Sequence, residues 1–190
     1  MLSQMAGVVL DWVGGFFVAM FLVRFYFQWM RVPFRNQAGE FVLATTSWAV
    51  MPARRVIPSV LGLDLASLAC AWLLQVLILA LQLMLAGNDL SSAPGIAAGM
   101  LFAIALVDLV QYSFKIILFI VIIQAVLSWV NPQHPVQYVL DSVTRPFLRP
   151  IRRFVPPIAN VDLSPMVLIL ALILLQIPLI ELRRLVGGLF

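Results

Sequence analysis

Three polar residues interrupt a long apolar run in the second half of the chain: Asp108, Gln111 and Lys115. Their spacing of three and four puts them on one face of a helix. A carboxylate, an amide and an ammonium in a row are groups that could hold or pass an ion. Asp11 in the first apolar run is a candidate to join that intramembrane polar stripe, and Arg24 lies near the end of the same run. Charges inside a membrane span are costly, so each is a functional candidate by default. Two readings compete. In one, Asp108 and Lys115 line an ion path. In the other, which the short two-turn stripe favours, the groups pair internally and fix helix packing while Lys115 snorkels. Arg24 reads best as a snorkelling side chain at the nearer interface.

A second pattern is repeated. Residues 52–66 read PARRVIPSVLGLDLA and residues 150–164 read PIRRFVPPIANVDLS, with six of fifteen positions identical. Each copy places an Arg pair, Arg54–Arg55 or Arg152–Arg153, before an Asp that opens an apolar run. Asp64 and Asp162 are expected to cap those helices, accepting the free N–H groups and facing the positive helix end. Arg54, Arg55, Arg145, Arg149, Arg152 and Arg153 are expected to meet lipid headgroups or a partner, because a guanidinium fork suits anionic groups at that depth. Pro52, Pro58, Pro150, Pro156 and Pro157 are expected to keep these connections from continuing as helix.

The elements that position these residues follow from composition. Of 190 residues 63% are hydrophobic and 11% charged, against roughly 25% charged in soluble domains. The chain therefore reads as an all-α membrane protein with four transmembrane helices, at about 5–30, 65–86, 106–130 and 163–182. The third run starts at residue 95 and is too long. As one helix its 36 residues would reach roughly 54 Å against a hydrocarbon core of about 30 Å. It is expected to tilt strongly or to break near Ala105–Leu109. No Lys or Arg precedes Arg24, so the first run lacks the basic start of a cleavable signal peptide. The connections 31–64 and 131–162 carry eight arginines, and the opposite side carries only Arg183 and Arg184, attributed to snorkelling. Basic loops stay in the cytoplasm. Both termini are then periplasmic. The frame and the Trp29–Trp129 match imply two tandem, parallel helical-hairpin repeats, 1–94 and 95–190. Val136, Leu140, Val143, Phe147 and Ile151 form the apolar stripe of a cytoplasmic interfacial helix, kinked at Pro146, with Gln137, Asp141, Thr144, Arg145 and Arg149 largely opposite. Phe41, Thr45, Trp48 and Pro52 mark a weaker version in the first copy.

The stretch SWVNPQHPVQYVLDSVTRPFLRPIRRFVPPIANVDLSPMV closely resembles the signature of the YggT/YlmG family, as does RFYFQWMRVPF through RRVIPSVLGLDLASL. The first copy departs where Trp48, Ala49 and Val50 replace the usual turn-forming proline region. The resemblance implies a small multipass protein of the bacterial inner membrane. It also implies links to osmotic and ion homeostasis, to division, or to cytochrome assembly, with no settled chemical activity.

Little supports catalysis. One His, His134, sits beside a proline without nearby metal ligands, and the one Cys, Cys70, reads as inert packing. No cofactor or metal site is expected, and the clustered arginines are a poor fit to nucleic acid. Gly95 and Gly99 form a small-xxx-small pair of the kind that lets helices approach. The leading expectation is a non-enzymatic membrane scaffold or assembly factor. Its partners would be anionic lipid headgroups and an unidentified membrane protein, with a homo-oligomer also open. The alternative is cation translocation by an oligomer.

Overall fold

Continuous apolar sequence with few breakers leaves the backbone one way to satisfy its polar groups away from water, the helix. The computed structural model describes residues 1–59, 62–87, 94–131, 135–155 and 162–187. Six helices are described: α1 (Leu2–Trp29), α2 (Gln37–Val56), α3 (Leu65–Leu85), α4 (Pro94–Val130), α5 (Pro135–Phe154) and α6 (Ser164–Gly187). Four are long and apolar enough to cross a membrane, within Ser3–Trp29, Leu65–Leu85, Ala98–Ser128 and Ser164–Gly187. Helix α1 packs on α3, α4 packs on α6, and α3 joins the halves by packing on α4. Helix α2 covers α1 and α3, and α5 covers α4 and α6.

Val18, Phe21 and Leu22 of α1 meet Val50 of α2, Ala71 and Ile78 of α3 and Leu109 of α4 in one core. Ile117 and Val121 of α4, Leu148 of α5, and Leu168 and Leu172 of α6 form a second. The close approach of α1 comes from Gly14 and Gly15: an added Cβ would stand 2.5 Å from Ile78 Cδ1 and 2.8 Å from the Tyr112 hydroxyl, respectively. Among the described residues a Cβ at Gly95 or Gly99 would meet nothing within 4 Å, so the small-xxx-small pair makes no close helix contact with them.

Two sequence expectations are corrected here. The third run does not break near Ala105–Leu109. Helix α4 continues unbroken for 37 residues, because Leu101, Ile104 and Ala105 are clamped against Leu79 of α3 and no proline follows Pro94 in it. Pro52, Pro146 and Pro150 do not end or interrupt a helix; they lie inside α2 and α5. Each ring is on the exposed face, where the carbonyl that loses its N–H partner can turn outward. Helix α2 spans 20 residues, as α5 does, and is the less amphipathic of the two, as its sequence suggests. Its inward residues are Gly39, Val42, Thr46 and Val50, and Phe41, Thr45 and Trp48 lie on the exposed face.

Helix α1 stops in a Schellman turn. The Val32 N–H donates to the Phe27 carbonyl at 2.8 Å and the Arg31 N–H to the Gln28 carbonyl at 3.2 Å. Val32 and Phe27 also share a buried cluster with Val139 and Val143 of α5. Arg31 adopts φ 54° there, a position where glycine is normally preferred.

Candidate functional site

Asp64 caps α3 and is fully buried. Its Oδ2 accepts from Arg54 Nη2 at 2.6 Å and from the Ser67 hydroxyl at 2.6 Å, while Oδ1 accepts from the Ser67 N–H at 3.4 Å. Arg54 also donates to Gln28 Oε1 of α1 at 2.9 Å. One carboxylate thus ties the end of α2 to the start of α3, and the guanidinium extends the tie to α1. A second cation stands behind it. Arg24 Nε lies 3.6 Å from Asp64 Oδ2, and Nη1 donates to the Thr46 hydroxyl at 2.8 Å and to Ser47 at 3.3 Å. Arg24 is 3% exposed: where the sequence suggests a snorkelling side chain, acceptors from α2 and the α3 cap hold the guanidinium inside the bundle.

The second half repeats the clamp in a wetter form. Arg152 Nε donates to Asp162 Oδ2 at 2.9 Å, and Asp162 Oδ1 accepts the Ser164 N–H at 2.9 Å. Both partners are partly open, with side chains 45% and 37% exposed. At the position that corresponds to Arg24 the second half carries Gln124. Gln124 Nε2 donates to Asp141 Oδ1 at 3.2 Å, and its Oε1 accepts from the fully buried Thr144 hydroxyl. Thr144 and Asp141 therefore face α4, not the outward polar side expected of them.

Burial pushes both cap carboxyls up. For Asp64 the bonds from Arg54 and Ser67 and the Arg54 charge outweigh that, and hold it below its ordinary value. For Asp162 the bonds from Ser164 and Arg152 do the same. The first Arg of each pair is thus held by an internal carboxylate, whereas the sequence offered headgroups or a partner. Arg55, Arg145, Arg149 and Arg153 are exposed. Arg145 and Arg149 line a groove of about 590 Å³ with Trp29, Met30 and Phe147.

Toward the other end of the bundle lies a polar cavity of about 300 Å³. It gathers Asp11 of α1, Gln75 and Gln82 of α3, Asp108, Gln111, Tyr112 and Lys115 of α4, and Arg183 of α6. Asp108 is 5% exposed. Its Oδ1 accepts from Arg183 Nε at 2.6 Å and its Oδ2 from Gln75 Nε2 at 2.9 Å. Gln82 reaches Asp11 at 3.5 Å, and the Lys115 ammonium lies 5.4 Å from the Tyr112 ring centre. The structure brings together all four groups proposed for the stripe, Asp11, Asp108, Gln111 and Lys115. It adds Arg183, for which the sequence suggests snorkelling, and two glutamines, Gln75 and Gln82, that no sequence pattern singles out. Cys70 has its thiol 3.9 Å from the Ala49 carbonyl and is half-buried among apolar neighbours. His134, Pro156 and Pro157 lie outside the described residues.

The family model described as CCB3/YggT matches residues 3–85 and again 103–183. Each match takes in one Arg–Asp clamp. This chain belongs to the CCB3/YggT family. It is 32% identical to the uncharacterized protein YggT of Escherichia coli K12 over 169 residues, covering 88% of this chain and 85% of that protein. An uncharacterized protein of Vibrio alginolyticus is 33% identical over 157 residues, 82% of this chain and 83% of its own. One of Pseudomonas aeruginosa is 32% identical over 182 residues, 95% and 90% of the two chains. No solved structure matches. The clamp residues Arg54, Asp64, Arg152 and Asp162 and the cavity residues Asp11, Asp108, Gln111, Lys115 and Arg183 all fall inside the CCB3/YggT matches.

Proposed function

We propose that this CCB3/YggT family member is a non-enzymatic scaffold or assembly factor of the bacterial inner membrane. Two tandem, parallel repeats carry α2 and α5 at the cytoplasmic interface, with both termini periplasmic. One observation carries the reading. Helix α5 turns Leu148 and Thr144 inward and leaves Arg145, Arg149 and Arg153 outward beside exposed Tyr138 and Phe154. Cations flanked by aromatic surface suit a membrane-protein partner with acidic groups at headgroup depth, and anionic lipid around it. The Arg152 clamp ties the end of α5 to the start of α6, so Arg152 serves positioning and Arg145, Arg149 and Arg153 serve contact.

The test is photocrosslinking from Tyr138 in intact membranes. A defined partner should be trapped by the wild-type chain and lost in an Arg145→Gln, Arg149→Gln, Arg153→Gln triple variant that still folds. No partner above background sinks the scaffold reading. Reporter tags near residues 56 and 154 should both surface in the cytoplasm, and tags on opposite faces would overturn the parallel arrangement. The polar cavity favours a second reading, cation translocation by an oligomer. It requires cation flux into liposomes that changes in Asp108→Asn. The Asp108 carboxylate, however, is already occupied by Arg183 and Gln75.

A further inference from the structure

We infer that the polar cavity is a binding site for a small zwitterion carrying one ammonium and one carboxylate. The cavity walls hold two acids and two bases. One pair is closed on itself, Asp108 with Arg183 at 2.6 Å. The other pair is not: among the described residues Asp11 has only the long Gln82 contact, and Lys115 has only the Tyr112 ring. Both side chains line the cavity and are exposed, on helices apolar enough to cross a membrane, where a charge without a partner is expensive. A ligand with both charges satisfies the two at once and leaves the site neutral, which a lone cation or anion does not.

Two amides indicate where each end goes. Gln75 is 4% exposed, and its orientation is set by chemistry, because only its NH₂ can face the Asp108 carboxylate. Its Oε1 is then directed away from that bond, buried and without a hydrogen-bond partner. A buried acceptor left open costs free energy unless a donor fills it. Gln111 has the opposite vacancy, a buried Nε2 with no acceptor. The ammonium of the ligand takes Asp11 and Gln75 Oε1, and the carboxylate takes Lys115 and Gln111 Nε2. The volume of about 300 Å³ admits a molecule of amino-acid size.

The test is equilibrium dialysis of the full chain in phospholipid nanodiscs. The radiolabelled probes are glycine, β-alanine and γ-aminobutyrate, a series that scans charge separation, with methylammonium and acetate as half-ligands. At least one amino acid should bind about tenfold or more tighter than either half-ligand. That binding should fall about tenfold or more in Lys115→Met and in Asp11→Asn, and return in part with Lys115→Arg. Gln75→Leu, which keeps all four charges, should weaken it too and serves if Asp11→Asn does not fold. Preference for methylammonium would make this a cation site, and preference for acetate an anion site. Binding of none would make it a water-filled packing defect. Each of these three overturns the inference, and none depends on whether a partner is trapped at α5.

Discussion

Replacing Asp64 by Asn separates the charge of the first clamp from its capping role. Asparagine caps a helix as well as aspartate does, so the bond from the Ser67 N–H survives. What disappears is the negative charge that faces two guanidiniums. Arg54 tolerates this, because its side chain is 41% exposed and keeps Gln28. Arg24 does not, because its side chain is 4% exposed and only hydroxyls remain beside it. Breaking a buried pair and stranding one charge costs about 3–5 kcal/mol. The retained hydroxyl bonds place Asp64→Asn near the lower end, at about 3 kcal/mol. The same change at Asp162 breaks an exposed pair and should cost about 0–1 kcal/mol. Arg24→Gln copies the residue that the second half carries at Gln124. Combined with Asp64→Asn it removes the stranded charge and should recover roughly 1–2 kcal/mol through a positive coupling. Reversible unfolding by SDS titration in mixed micelles, run on the four variants, reads all of these. Equal losses at Asp64 and Asp162, or an Arg24→Gln change that deepens the Asp64→Asn defect, would refute the argument that burial of Arg24 decides the cost.

Three further outcomes follow from described geometry. Both cap carboxyls titrate below their ordinary value when folded, so the unfolded chain binds protons first. Their stabilisation is full above about pH 4 and is lost as pH falls through the depressed folded values, and an Asp64→Asn, Asp162→Asn variant should show a flatter acid limb in thermal unfolding. Gly39→Ala puts a Cβ 2.6 Å from the Phe34 carbonyl oxygen and 2.7 Å from its Cα, backbone that cannot rotate away. It should cost about 1–3 kcal/mol and more than Gly14→Ala, which meets only the movable end of Ile78, as read by the same titration. Arg31→Gly relieves the left-handed conformation at the end of α1 and should raise stability by about 1 kcal/mol, visible as a shift of the SDS midpoint.

Hydropathy and the duplicated frame were enough to locate the four apolar helices, and the spacing of Asp108, Gln111 and Lys115 was enough to put them on one wall. Asp64 was readable as a cap because its role is local. Arg24 was misread because its partners, Thr46 and Asp64, lie 22 and 40 positions away and sequence distance says nothing of them. Arg183 was missed for the same reason, since Asp108 is 75 residues from it. The prolines misled because a rule about lost N–H donors ignores which side of the helix loses them. The glycines that matter, Gly14 and Gly15, carry no motif; only the facing Ile78 and Tyr112 reveal them.

The unbroken α4 joins the polar cavity to the helix that carries the exposed arginines. Asp108 and Gln124 are separated by about 24 Å of continuous helix. Ile117 and Val121, between them, pack on Leu148 of α5 and on Leu168 and Leu172 of α6. Gln124 in turn holds Thr144 and Asp141 of α5, so one helix supplies both the carboxylate of the cavity and the amide that orients the arginine-bearing face.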